Sequence, residues 1–244
     1  MSREKTRSGN ASQGFTLVEL LITMVLSVII VVVIYSAFKV QQRSYVAQDA
    51  VSEMQQNIRA ALLSMSSDIR MASFDPSGDA GAGFIDAQAD ALAFTADLLE
   101  DGDLDDPDEH MGYYLFSYPA PSTLVSLRRV SSDSNNPLTL VNAAAGHYEV
   151  QGIAITSEED LAENIEALEF DYLDADGNSL PFPIDTDDII FIRISILARA
   201  SQPDPQFFNT LTYTTGSGVV WGPYNDNLRR RLLIATVNCR NMGL

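Results

Sequence analysis

Residues 15–38 read FTLVELLITMVLSVIIVVVIYSAF, and this stretch decides how the rest of the chain is organised. It holds one charged residue, Glu19, and contains neither glycine nor proline. At about 1.5 Å per residue, a helix of this length spans about 36 Å, which exceeds the roughly 30 Å hydrocarbon core of a membrane. The stretch therefore predicts a transmembrane helix over residues 15–38.

The flanks of this stretch predict its orientation. Residues 1–14, MSREKTRSGNASQG, are polar and carry three basic residues against Glu4. Basic residues beside a membrane span stay cytoplasmic, so the remainder of the chain is expected on the far side. A secretory signal peptide does not fit, because its apolar region has about 7–15 residues and an A-x-A-like cleavage site follows it. The sequence thus predicts a single-pass membrane protein.

Glu19 is not explained by a plain membrane anchor. A carboxylate within a span costs roughly 2.5–3.5 kcal/mol on insertion scales and usually marks a functional partner. Glu19 is the fifth residue when Phe15 is counted as the first. Cleavage between Gly14 and Phe15 would create an ammonium group at the same membrane depth. The Glu19 carboxylate of one subunit could then neutralise the Phe15 amine of the next, and the pair would act as an assembly signal.

The sequence Gly14-Phe15-Thr16-Leu17-Val18-Glu19 resembles the prepilin cleavage motif of type IV pilins and type II secretion pseudopilins. The resemblance implies that a membrane prepilin peptidase removes the leader, residues 1–14, and N-methylates Phe15. It also implies that Glu19 helps to recruit the subunit into a filament. The expected location is the bacterial inner membrane, with a periplasmic head that later enters a surface pilus.

Charge and composition exclude several other classes of protein. The chain of 244 residues has a formal net charge of −18, which disfavours binding to nucleic acid or anionic lipid headgroups. A single cysteine, Cys239, permits no internal disulfide and no zinc ribbon, and we expect it to be buried. The sequence has no G-x-S-x-G, H-E-x-x-H or P-loop motif. We therefore expect a protein that is not an enzyme.

The helix is predicted to continue beyond the membrane as an amphipathic segment, residues 39–75. No glycine or proline occurs between Phe15 and Asp75, and Pro76 ends the run. Apolar residues recur at spacings of three or four and define one face. This face consists of Val51, Met54, Ile58, Ala61, Met65, Ile69 and Ala72. One helix of about 60 residues is expected, packed on a head that comprises residues 76–244.

The head is predicted to be rich in antiparallel β-structure, which gives an α+β, pilin-like fold. Residues 75–91 contain three glycines and are expected to form a flexible link. Residues 174–178, DADGN, are typical of a hairpin turn. The predicted strands are 112–118, 123–130, 147–155, 165–173, 188–198, 207–214 and 230–238.

Further stretches resemble minor pilins of the PilW type. These are Gln41-Gln42-Arg43-Ser44-Tyr45, Asp68-Ile69-Arg70-Met71-Ala72, Leu168-Glu169-Phe170-Asp171-Tyr172 and the closing Arg229-Arg230-Arg231 strand. The resemblance implies a subunit that primes pilus assembly with other minor pilins and the major pilin, and thereby serves adhesion and twitching motility. Two alternatives stay open: a J-type pseudopilin of type II secretion, and a membrane-tethered, calcium-dependent binding module.

An acidic loop is a candidate Ca²⁺ site. Residues 97–108 align with a 12-residue calcium loop, with acids at positions 1, 5, 9 and 12 and glycine at position 6. The candidate ligands are Asp97, Asp101, Asp103, Asp105 and Asp108. Leu99 at position 3 cannot bind a metal, and Asp108 is shorter than the usual glutamate. The alternative is a solvated acidic loop.

Three other features have a structural interpretation. Arg128-Arg129 and Arg229-Arg230-Arg231 are expected to pair with nearby carboxylates rather than with nucleic acid. His110 follows the acidic loop and is expected at the surface or in a turn.

Overall fold

A computed structural model describes residues 15–118, 124–132, 138–144, 147–151 and 155–242. The chain divides into two compact units, one up to Gln48 and one from Asp49 onward. Helix α1 (Leu17–Met71) supplies 55 residues and contributes to both units.

Helix α1 confirms the predicted long helix, although it ends four residues earlier than expected. Ser73 adopts a left-handed conformation with φ of 61°, which stops the helix. The Ser73 N–H then donates to Thr95 O at 2.9 Å, and the Asp97 N–H donates to Phe74 O at 2.7 Å. These contacts with the first sheet compete with further helical turns, so the chain leaves the helix before Pro76.

The second unit uses the predicted apolar face of the helix. Met54, Ile58, Ala61, Met65, Ile69 and Ala72 are buried, and Val51 is partly buried. Leu62 lies beside this face and is also buried, whereas Leu63 on the opposite side is 69% exposed. Burying one large apolar side chain stabilises a fold by about 1.5–3 kcal/mol, so this face is a main attachment between helix and head.

Twelve strands and one short 3₁₀ helix, Thr186–Asp188, follow within the described residues. The strands are β1 (Phe84–Ala87), β2 (Ala91–Thr95), β3 (His110–Ser117), β4 (Val125–Ser132), β5 (Thr139–Ala144), β6 (His147–Gln151), β7 (Ser157–Glu163), β8 (Ile165–Leu173), β9 (Phe191–Arg199), β10 (Tyr213–Thr214), β11 (Val220–Trp221) and β12 (Arg230–Asn238).

All strand pairs are antiparallel, so the α+β fold class is confirmed. The first sheet has the order β1-β2-β3-β4-β7, and the second sheet has the order β12-β9-β8. Two hairpins, β5-β6 and β10-β11, form separate two-stranded sheets that share no strand with the first or the second sheet. The inner faces of both sheets form one core with helix α1, in which Phe94, Tyr113, Phe170 and Ile194 are fully or almost fully buried.

The outer faces of both sheets are also covered. Leu138 and Leu140 pack on Tyr114 and Val130 of the first sheet and form a smaller apolar cluster. The connection from β9 to β12 lies over the second sheet, where the Gly216 N–H donates to Ser195 Oγ at 3.0 Å. A Cβ at Gly216 would collide with the Arg193 side chain, so this close approach requires glycine.

Several predicted elements need correction. The predicted flexible link at residues 75–91 contains β1 and the first residue of β2. The predicted strand at 207–214 is reduced to its last two residues, β10. Strands β2, β5, β7 and β11 were not predicted. The strands predicted at 165–173 and 230–238 coincide with β8 and β12. Residues 123 and 152–154 of two other predicted strands lie outside the described residues.

Candidate functional site

The start of helix α1 places Glu19 in a hydrogen-bonded cap. Glu19 Oε2 accepts hydrogen bonds from Thr16 N–H at 3.0 Å and from Thr16 Oγ1 at 2.9 Å. The Glu19 N–H donates to Thr16 Oγ1 at 3.2 Å. This reciprocal arrangement is a capping box, in which residue N3 satisfies the amide of the N-cap residue. This cap was not predicted, although the Thr-x-x-Glu spacing of residues 16–19 is its sequence signal.

The apolar part of helix α1 is not covered by any described residue of its own unit. Every residue from Phe15 to Val46 is exposed, including the aliphatic side chains on all sides of the helix. One helix in the described part of the chain is long and apolar enough to cross a membrane, judged by length and composition. Apolar surface of this extent is unfavourable in water, so the segment requires lipid or other helices around it.

Gly14, the predicted cleavage position, lies outside the described residues together with the rest of the leader. Phe15 is described, and it precedes the cap residue Thr16 as an exposed, non-helical residue. The cleavage, the methylation of Phe15 and the assembly role of Glu19 stay predictions.

The acidic loop is organised by two buried carboxylates. Asp97 accepts from the Asp101 N–H at 3.2 Å and from the Gly102 N–H at 3.1 Å. Glu109 Oε1 accepts from the Leu98 N–H at 2.8 Å, and Glu109 Oε2 accepts from the Asp106 N–H at 3.1 Å. Both side chains are fully buried. These two residues hold the loop in shape through its own backbone, and the role of Glu109 was not predicted.

The five predicted calcium ligands do not come together as one set. Carboxylate oxygens of Asp101 and Asp103 lie within 4.8 Å of each other and of one from Asp106, which was not predicted. The Asp97 carboxylate already accepts hydrogen bonds from two backbone amides of the loop, and Asp108 pairs with Arg129 at 3.2 Å. The Asp105 N–H donates to Asp103 Oδ1 at 3.2 Å. Calcium binding stays a prediction, and the carboxylates close enough to share an ion are those of Asp101, Asp103 and Asp106.

Mutual repulsion affects this loop. The carboxyl of Asp103 raises the pKa of Asp105 through a side-chain hydrogen bond and its charge. Desolvation and the charge of Asp101 raise the pKa of Asp106. A raised pKa means that ionisation of these groups opposes the folded loop at neutral pH, so a bound cation would relieve this repulsion.

Arg129 connects the acidic loop to helix α1. Its guanidinium contacts Asp68 of the helix at 2.9 Å and Asp108 of the loop at 3.2 Å. Tyr113 of β3 donates a hydrogen bond to the same Asp68 carboxylate. Burial and the nearby charge of Asp68 raise the pKa of Tyr113, which keeps its hydroxyl protonated as a donor. Arg129 therefore fixes the position of the loop relative to the part of helix α1 that packs on the head.

The other sequence-predicted residues have structural roles. Arg128, Arg229 and Arg230 pair with carboxylates as expected, whereas Arg231, contrary to the expectation, is exposed and has no ion pair among the described residues. His110 is buried, contrary to the expectation, and its Nε2 lies 3.0 Å from Leu104 O. Burial lowers the pKa of His110. Cys239 is buried as predicted, and this burial raises the pKa of its thiol to about 12.

Comparison with known proteins identifies one feature. The family model of the prokaryotic N-terminal methylation motif matches residues 9–35. Comparisons with curated proteins and with solved structures gave no match. The chain thus carries a leader and helix start of the type IV pilin and pseudopilin kind, and this motif indicates a membrane-anchored structural subunit.

Proposed function

We propose that the chain is a minor pilin of the PilW type that helps to prime the assembly of a type IV pilus. The observation that carries this proposal is the methylation motif at residues 9–35, directly joined to an exposed apolar helix with Glu19 near its start. In this proposal the precursor is cleaved between Gly14 and Phe15 in the bacterial inner membrane. Its head faces the periplasm before the subunit enters the filament.

The proposed assembly step is an ion pair in lipid. Both hydrogen bonds from Thr16 reach Oε2 of Glu19, and Oε1 accepts no hydrogen bond among the described residues. Oε1 is therefore available for the Phe15 amine of a neighbouring subunit. Pairing would neutralise two charges that are costly to bury separately in hydrocarbon. Close packing of the apolar helices would then stabilise the assembled state.

The size of the head supports a position at or near the pilus tip. Cleavage after Gly14 leaves residues 15–244, and the second unit alone extends from Asp49 to the end. A bulky head is accommodated most easily where it has few neighbours. We propose that the tip position allows this subunit to start the filament with other minor pilins, and that its head takes part in adhesion and twitching motility.

The identity of the subunits that co-purify with the full chain tests this proposal. We expect the major pilin and other minor pilins in sheared surface filaments that contain the chain. Recovery with secretion-system subunits instead would assign it as a J-type pseudopilin. Recovery without any prepilin-type subunit would leave the membrane-tethered binding module as the remaining interpretation.

A further inference from the structure

The second sheet has one open edge. On the β8 side, the Phe170 N–H donates to Ala89 O at 2.7 Å, so another part of the chain occupies that edge. On the opposite side, β12 pairs with β9 and with no other strand among the described residues. The β12-β9 register is continuous from Arg230 to Asn238 and contains no bulge.

The alternation of backbone hydrogen bonds along β12 identifies which N–H and C=O groups face the open edge. The Cys239 N–H donates to Ile190 O at 3.0 Å, and the Ala200 N–H donates to Arg229 O at 2.8 Å. Residues along an antiparallel strand alternate between bonding towards the partner strand and pointing away from it. Odd-numbered residues of β12 therefore bond to β9. The even-numbered residues Leu232, Ile234, Thr236 and Asn238 direct their N–H and C=O groups outward.

Proteins usually protect sheet edges against pairing with other chains, and β12 lacks the usual devices. In the first sheet, β1 has four residues, and edge strand β7 carries Glu158, Glu159 and Glu163. By contrast, β12 has nine residues and no charge or proline between Leu232 and Asn238. Ile234 is 42% exposed, and Thr236 and Asn238 are exposed.

We propose that the open edge of β12 binds an extended, acidic segment of another filament subunit by strand addition. Beyond helix α1 the chain has eight arginines, and six of them pair with carboxylates. Arg231 and Arg240 are exposed and have no carboxylate partner among the described residues. These two cations stand at the two ends of the open edge, so they favour an incoming strand with acidic residues at its ends.

A second copy of the same strand fits the edge poorly. Antiparallel β12-β12 pairing with Ile234 opposite Thr236 would place Arg240 of each copy opposite Arg230 and beside Arg231 of the other. Like charges near each other across a strand pair are destabilising. The identification of the partner as a filament subunit rests on the proposed function, whereas the strand-addition site itself rests on the geometry of β12.

Residue-resolved hydrogen exchange on the full chain in detergent tests the site. We expect Leu233, Ala235 and Val237 to be protected both in the isolated chain and in its complex with co-purified pilus subunits. The amides of Ile234, Thr236 and Asn238 should exchange fast in isolation and at least about tenfold more slowly in the complex. Unchanged fast exchange in the complex would overturn the proposal. Concentration-dependent protection of the isolated chain would show self-pairing and would also overturn it.

A matched pair of variants tests the partner. Thr236→Lys places a charge on the open edge, whereas Thr214→Lys places the same charge on an exposed threonine of β10. We expect Thr236→Lys to reduce recovery of the partner subunits at least about fivefold, with unchanged thermal unfolding, and Thr214→Lys to leave recovery unchanged. Equal recovery with both variants would contradict the proposal.

A photoreactive amino acid at position 236 identifies the occupant. We expect its cross-link to lie in an acidic segment of another pilus subunit. A cross-link to a second copy or to lipid, or none at all, would exclude the proposed occupant. If Phe15 is methylated and the chain is present in filaments, such failures overturn the edge site and leave the proposed function intact.

Discussion

At the scale of single residues, Glu19 has two separable properties, a side chain that caps the helix and a negative charge. The capping box explains how the side chain is held near the helix start, and it needs only a hydrogen-bond acceptor. The proposed ion pair with the Phe15 amine needs the charge. Because glutamine also serves at the third position of a capping box, the two properties can be tested independently.

We predict that Glu19→Val and Glu19→Gln both insert into the membrane and both reduce recovery of the chain in sheared filaments. Glu19→Gln retains the cap and removes the charge, so its loss of recovery should match that of Glu19→Val. Quantitative mass spectrometry of membranes and filaments measures both steps. Normal recovery of the Glu19→Gln variant would contradict the role of the charge.

Asp226 offers a second test at residue scale. Arg230 contacts both of its carboxylate oxygens, at 2.6 and 2.7 Å, and the Arg230 side chain is only 2% exposed. Hydrogen bonding to Arg230 lowers the pKa of Asp226. A carboxyl with a lowered pKa in the folded state stabilises the fold above its unfolded pKa of about 3.9, and this contribution is lost as the pH falls.

We therefore predict that Asp226→Asn lowers the free energy of unfolding by about 1 kcal/mol at pH 7 and that the difference from the parent shrinks below pH 4. Fluorescence of Trp221, the only tryptophan, reports urea unfolding of the head. Asp176→Asn is the control, because Asp176 is exposed and has no ion pair within the described residues. A difference that stays constant down to pH 2 would contradict the assigned ion pair.

At the scale of elements, the helix was the most predictable part. The spacing of its apolar residues predicted which side chains contact the head, because a 3.6-residue repeat fixes which side chains share a face. Its end was predicted less well, since contacts of Ser73 and Phe74 with the first sheet decide where the chain leaves the helix. Such contacts between distant segments leave no local signal.

Two neighbouring helix residues give a matched test of this packing. Met65 is fully buried, whereas Leu63 is 69% exposed. We predict that Met65→Ala lowers the free energy of unfolding by about 2–5 kcal/mol because it leaves a cavity in the core. Leu63→Ala should change it by less than about 0.5 kcal/mol. Similar losses for both variants in urea unfolding would contradict the assigned face.

The strands show where sequence patterns fail. β7, SEEDLAE, is rich in acids and resembles a loop, yet it pairs with β4, where Arg128 contacts Glu158 and Asp160. β2 is buried on both faces and therefore has no alternation to detect. Residues 207–212 contain aromatic residues typical of a strand, but Asn209 bonds to Leu228 O and Tyr213 Oη and holds them in an irregular loop.

The acidic loop is a further element that can be tested by itself. We predict that Ca²⁺ stabilises the full chain by about 1.4 kcal/mol when its concentration is ten times the dissociation constant. Asp103→Asn should abolish this gain because it removes one of the three clustered carboxylates, and Asp79→Asn should preserve it. Calorimetric titration and thermal unfolding measure the effect. No heat and no shift in the unfolding temperature at millimolar Ca²⁺ would remove the site.

At the scale of the whole molecule, a candidate site could be predicted from the sequence when its residues lie close together along the chain. The N-terminal motif lies within six consecutive residues, so the sequence alone is enough to propose Phe15 and Glu19 as candidate residues. The loop was only partly predictable, because Glu109 and Asp106 acquire their roles through long-range folding. The open edge of β12 is a property of the assembled sheets, and no sequence pattern signals it.

The central claim is that the chain is processed as a prepilin, and the mass of its N-terminal peptide tests this most directly. The full chain is isolated from membranes of cells that contain the matching prepilin peptidase. The account predicts a mature chain that begins with N-methylated Phe15. A functional chain that still begins with Met1 and retains its first fourteen residues would contradict it.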